Sequence, residues 1–127
     1  MIFSTNPTLK KDIMKLIITE ASDRTAIVSF PMDNLDASNV KAFREAINEV
    51  TGTREIVVFD MSTLSFVDSS GLGALLSCLR AMNGKNGQLR LFGMTKPVKA
   101  LFELVRMHRI FTIYNTREEA LEEIVTA

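Results

Sequence analysis

A single cysteine, a single histidine and only three prolines among 127 residues remove several classes of function before any motif is considered. One thiol, Cys78, cannot close a disulfide within the chain and suits a reducing compartment. With one cysteine and one histidine, only carboxylates are left to hold a metal. Asp60 and Asp68 are better explained as a strand-end residue and a helix N-cap, so no metal or cofactor is expected. Lys plus Arg and Asp plus Glu each number 15. No excess of one sign therefore marks a partner of nucleic acid or of a membrane surface, and direct binding to either is not expected. Long apolar runs are missing too. The first thirty residues hold no export signal and no stretch reaches the length of a bilayer span, so the expected location is cytoplasmic.

What is present is the composition of an ordinary soluble globule, 46% hydrophobic and 24% charged, of a length that fits one domain with a real core. There is no repeat, low-complexity tract or linker. Residues 1–13, MIFSTNPTLKKDI, lack a period and read as a loosely packed leader, leaving residues 14–127 as one folded unit.

Structural signals alternate along that unit. Lys15 to Glu20 and Thr25 to Phe30 read as a hairpin about the turn at Ala21 to Arg24. Asp36 or Ser38 can cap a helix whose face carries Val40, Phe43, Ile47 and Val50 until Gly52 stops it. Ile56 to Phe59 is a continuous apolar run, as in a strand covered on both faces. A second helix follows from about Ser69 to Asn83, with Leu72, Leu75, Leu76, Leu79 and Met82 as its core stripe. Gln88 to Phe92 is a strand. Thr95 and Pro97 then open a third helix bearing Val98, Leu101, Phe102 and Val105. Ile110 to Tyr114 is a further strand, and Thr116 with Glu119 forms a capping box before a last helix with Ala120, Leu121, Ile124 and Val125. The order implies an α/β fold: a mixed, mostly parallel sheet of about five strands with about four helices, the first strand antiparallel at one side. Functional loops in such sheets lie at the carboxyl ends of the strands, and Ser62 to Ser70 is one of them.

That loop contains the most informative stretch, LSFVDSSGLGAL from Leu64 to Leu75, where two serines stand between an apolar strand and an apolar helix. A nucleophile elbow would need glycines on both sides of the serine, and here they lie on one side only. His108, between a helix and a strand, reads as a surface or helix-end residue rather than a catalytic base. Gly71 and Gly73 lack the third glycine of a dinucleotide fingerprint, and no phosphate-binding G-x-x-x-x-G-K-[ST] loop exists. What remains is a switch. Phosphorylation of Ser69 or Ser70 adds about −1.5 to −2 charges where helix N-terminal amides welcome an anion, so little refolding follows. The cost falls on any partner that must desolvate the phosphate.

A second stripe of the same helix, Ser70, Gly73 or Ala74, Ser77 and Ala81, carries no bulky group. It fits either a close approach by a partner, which makes Gly73 and Ser77 candidate contacts, or the packing of a neighbouring helix.

The string from Ile56 to Phe111 resembles a STAS domain of the bacterial anti-sigma-factor antagonist type. The strand ending at Asp60, the DSSGLG loop from Asp68 to Gly73, the glycine turn before the next strand and the P-V-K-x-L-F-E-L helix carry the likeness, joined upstream by LDASN at Leu35 to Asn39. The resemblance implies a protein without catalysis of its own. Unphosphorylated, it would bind an anti-sigma factor that is also a serine kinase. Phosphorylated at Ser69 it would let go, and a metal-dependent serine phosphatase would restore it. It also implies Asp68 as the orienting neighbour of Ser69, and Asp36 with Ser70, Gly71 and Leu72 as contact surface, in a monomer or weak homodimer. The chain departs from the family pattern at FPMDN, Phe30 to Asn34, where many members have a glycine. The change lengthens or stiffens a loop beside the switch. The alternative within the same family is a scaffold subunit of a large sensory assembly.

Overall fold

The structure, a computed structural model, describes residues 14–126, with side chains described through Glu122. The leader read at residues 1–13 lies outside the described residues. Five strands form one sheet in the order β1 (Ile17–Glu20), β2 (Thr25–Ser29), β4 (Ile56–Asp60), β6 (Gln88–Phe92) and β7 (Thr112–Tyr114). β1 runs antiparallel to β2 and every other pairing in this sheet is parallel. Four helices, α1 (Val40–Thr53), α2 (Ser69–Gly84), α3 (Lys96–Leu104) and α4 (Arg117–Thr126), connect or follow the parallel strands. The fold is α/β with a mixed, mostly parallel sheet, as the alternation of elements implies.

The helices divide unequally between the faces of the sheet. Phe43 and Ile47 of α1, Leu72, Leu75 and Leu79 of α2, and Val98 and Phe102 of α3 share one core with Ala26, Val28, Val57, Phe59, Leu89 and Leu91. Ala120 of α4 packs with Ile27, Ile56, Val58 and Phe92 on the other face. Strand residues thus alternate between two cores, and this is why IVVF carries no polar position. Phe30, Phe43 and Phe59 meet with centroids 5.6 to 6.2 Å apart. Each is buried, and each contributes about 1.5–3 kcal/mol through the area it removes from water. Arg90, buried in β6, donates to the Ala120 carbonyl at 2.8 Å and to Gln88 Oε1, which fastens α4 to the sheet.

Element boundaries differ from the sequence reading at several points. α1 continues through Gly52 to Thr53, because the Thr51 and Thr53 hydroxyls donate to the carbonyls of the last turn and nothing there requires a reversal. β1 begins at Ile17 and β7 at Thr112. Val105 and Ile110 lie outside α3 and β7, in a turn containing a 3-10 helix at Met107–Arg109. The capping box of α4 is present: Glu119 N–H donates to Thr116 Oγ1 at 3.1 Å, and Thr116 N–H to Glu119 Oε1 at 3.2 Å.

Cys78 is buried against the seam of α1 and α2, where burial pushes its thiol up to about 12 against a weaker opposing pull from Arg44. Thiolate is the reactive form. An aromatic disulfide reagent at about pH 8 should therefore react fully only after denaturant is added. Rapid labelling of the native protein would contradict this packing.

Candidate functional site

Two short strands missed in the sequence build the site. β3 (Asn34–Leu35) follows the loop after β2, β5 (Phe66–Val67) follows the loop after β4, and the two pair in parallel as a separate ribbon. At two residues each they have no readable period. The ribbon lies beyond the carboxyl ends of β2 and β4 and brings LDASN beside DSSG.

Asp68 locks the two segments together. Its Oδ1 accepts from the Gly71 amide at 2.9 Å, making it the N-cap of α2. Its Oδ2 accepts from the Ala37 amide at 3.1 Å, and its own amide donates to the Leu35 carbonyl. One side chain therefore satisfies a helix terminus and an amide thirty-one residues away. Asp68→Ala strips the acceptor from both, and should cost about 1–2 kcal/mol and lower Tm by about 5–10 °C in a thermal melt. Asp68→Asn, which keeps one acceptor oxygen, should cost less.

The LDASN turn is also internally fixed. Asp36 accepts from the Ser38 hydroxyl, the Ser38 amide and Asn34 Nδ2, and these donors, Ser38 first, hold its carboxyl below the ordinary range. Asn39 Oδ1 accepts from the Asp36 amide while its Nδ2 donates to the Asn34 carbonyl. Neither Asp36 nor Ser38 is the N-cap of α1. Asn39 holds that position without a side-chain cap bond. FPMDN is tied to the same end: the Asp33 carbonyl accepts from the Ser65 amide at 2.8 Å, and Thr63 Oγ1 donates to the Phe30 carbonyl. The FPMDN loop is thus a brace for the segment leading to Ser69.

Ser69 is the first residue of α2 and is exposed. Among the described residues its hydroxyl makes no hydrogen bond. Gly71 N–H is taken by Asp68, and the first intrahelical bond runs from the Leu72 amide to the Asp68 carbonyl. The Ser69 and Ser70 amides stand free ahead of it, as helix N-termini require. Asp36, Asp68, Ser70 and Gly73 are half-buried around Ser69's turn of the chain. Gly71 and Leu72 are buried, so they support this surface from beneath. Gly71 lies against β3 so closely that a Cβ there would stand 2.2 Å from the Leu35 carbonyl oxygen.

The stripe of small residues faces α1. Arg44 Nη1 donates to Ser77 Oγ at 3.0 Å, Ser77 Oγ donates to the Gly73 carbonyl, and Ala74, Ser77 and Ala81 line an 80 Å³ cavity with Ile47 and Thr51 of α1. Packing of a neighbouring helix therefore accounts for Ala74, Ser77 and Ala81, with Ser77 at its half-exposed rim. Beside the serines, Phe66 exposes 54% of its surface, an apolar group that no sequence pattern marked. His108 lies in the turn after α3, at the opposite end of the parallel strands from Ser69, so the two form no catalytic pair. No helix among the described residues is long and apolar enough to cross a membrane.

Known proteins are similar to this chain in sequence or in fold. The anti-sigma F factor antagonist of Paenibacillus polymyxa is 28% identical over 113 residues, covering 87% of this chain and 97% of that one. The anti-sigma-B factor antagonist of Listeria monocytogenes is 29% identical over 99 residues, covering 76% and 86%. The phosphorylated form of the Bacillus cell fate determinant SpoIIAA has the same fold, with a TM-score of 0.66 at 21% identity and coverage of 87% and 99%. The STAS domain family matches residues 16–120, which span both ribbon strands, the whole five-stranded sheet and the DSSG turn, and the chain belongs to that family.

Proposed function

We propose that this chain is a cytoplasmic anti-sigma-factor antagonist that works by partner switching. Unphosphorylated, it binds an anti-sigma factor that is also a serine kinase, and so frees a sigma factor. Phosphorylation of Ser69 breaks that complex and a metal-dependent serine phosphatase restores it. The chain is the substrate and binder in this cycle and performs no chemistry itself. Its working unit is residues 14–127, as a monomer or weak homodimer, with residues 1–13 as a leader.

The observation that carries the reading is the pairing of an exposed, uncommitted Ser69 hydroxyl with a rigid frame around it. Asp68 joins the start of α2 to LDASN, so a kinase meets one continuous surface of Asp36, Asp68, Ser69, Ser70 and Gly73. Phe66 adds an apolar anchor at its edge and Ser77 lies farther along α2. A phosphate at Ser69 gains about 0.3–1 kcal/mol from the helix dipole while Asp68 repels it, and the fold is left nearly neutral to the change. An interface closed over that position must instead desolvate the phosphate.

Incubation with a cognate kinase and ATP should add one phosphate, mapped to Ser69 by mass spectrometry, and Ser69→Ala should abolish it without loss of fold. Phosphate on Ser70 with none on Ser69 would contradict the assignment.

A further inference from the structure

Whole-chain neutrality hides a segregation of charge. Between Ser69 and Thr116 stand seven Lys or Arg residues and one acid, Glu103. Of the seven only Arg90 is buried. Within this cationic stretch of sequence, the turn after α3 exposes large aliphatic side chains: Leu104 at 80%, Val105 at 39% and Ile110 at 53%. Arg106, His108 and Arg109, all exposed, lie between Val105 and Ile110 in the run LVRMHRI.

The turn is held from below. Phe102 and Phe111 are buried with ring centroids 5.5 Å apart, and Met107 packs on the core between them in sequence. Arg106 takes a left-handed conformation at φ 63°, which ends α3 and leads into the 3-10 turn at Met107–Arg109. Because α3 runs back along the sheet, the turn sits at the amino ends of the strands, opposite the end that carries Ser69.

We propose that Leu104 to Ile110 docks this domain on an anionic lipid surface. Exposed aliphatic groups can enter the boundary between headgroups and acyl chains while neighbouring guanidinium groups stay at the level of the lipid phosphates. Seated in this way, the protein keeps its Ser69 face turned away from the bilayer and open to other proteins. A polynucleotide fits the patch less well, because three large aliphatic side chains stand exposed among the cations and His108 is the one ring that the turn exposes. Three aliphatic side chains and two arginines support weak, reversible attachment, and the docking is peripheral.

Cosedimentation of the full chain with vesicles tests this directly. Vesicles in which one third of the phosphatidylcholine is replaced by phosphatidylserine should retain the protein at low salt and release it at high salt, and pure phosphatidylcholine vesicles should not retain it. Arg106→Asn combined with Arg109→Gln, asparagine being tolerant of the left-handed conformation, should weaken binding about 25-fold, at about fivefold per charge. Leu104→Ser combined with Ile110→Ser should weaken it about tenfold. Melting temperatures close to that of the parent establish that both variants are folded. Absence of binding to the anionic vesicles, or equal binding by folded variants, would overturn the proposal. Soluble polyglutamate bound through the same residues while the vesicles are ignored would also overturn it, assigning the patch to an acidic protein instead.

Discussion

Ser69→Asp is expected to weaken binding to the partner kinase at least about tenfold while leaving the melting temperature within about a few degrees of the parent. Both halves follow from where the side chain sits. Ser69 opens α2, exposed to solvent and with its hydroxyl bonded to nothing among the described residues, so no internal contact is lost. The added carboxylate gains from the free amides of the first turn and loses through repulsion by Asp68, and the net effect on folding is no more than about 1 kcal/mol. In the proposed complex with the kinase the same charge would have to shed water, a penalty of several kcal/mol when it is left unpaired. Ser69→Ala, by contrast, should bind the kinase and resist modification. A loss of affinity that tracked a fall in melting temperature would convert the proposed electrostatic switch into simple unfolding.

Gly71→Ala should be the most damaging of the glycine-to-alanine changes. The third residue of α2 passes so close to β3 that a Cβ would meet the Leu35 carbonyl oxygen at 2.2 Å and its carbon at 2.9 Å, both backbone atoms that cannot rotate aside. Relief requires prying the ribbon from the helix, which threatens the bonds from Gly71 and Ala37 to Asp68. A destabilisation of about 2–4 kcal/mol, or about 10–20 °C in Tm, is expected by differential scanning calorimetry. Gly73, two residues on, is the internal control. The nearest group to a Cβ there is the flexible Arg44 guanidinium at 3.8 Å, so Gly73→Ala should be neutral or stabilising by up to about 1 kcal/mol. Equal melting temperatures for the two variants would mean that the helix does not rest on β3 as described.

The contrast between these glycines marks the limit of what the chain discloses as a string. Hydrophobic patterning and turn signals located all five strands of the main sheet and all four helices. α1 and α2 bury one face each, through Phe43, Ile47 and Val50 and through Leu72, Leu75 and Leu79. β4 is buried throughout its apolar run, and β1, exposed at every position, was marked by its hairpin turn. Local chemistry located the Asp68 N-cap and the Thr116–Glu119 box, whose partners lie within three residues. The bond from Ala37 to Asp68 spans thirty-one residues and left no local trace. Nor did the ribbon of Asn34–Leu35 with Phe66–Val67, too short for a period, or the left-handed conformation at Arg106, a residue type with no preference for positive φ. The serine that carries the proposed switch was therefore legible, and the frame that holds it still was not. Gly71 and Leu72 stood in the sequence as surface residues beside Ser69, yet in the fold they lie beneath it.

Calorimetric titration of the kinase with two preparations of this protein, one unmodified and one fully phosphorylated at Ser69, tests the switch most directly when each is also melted. The account predicts tight binding by the first, affinity at least about a hundredfold weaker for the second in line with a desolvation cost of about 3 kcal/mol, and melting temperatures that agree within about a few degrees. Equal affinity of the two preparations would contradict it.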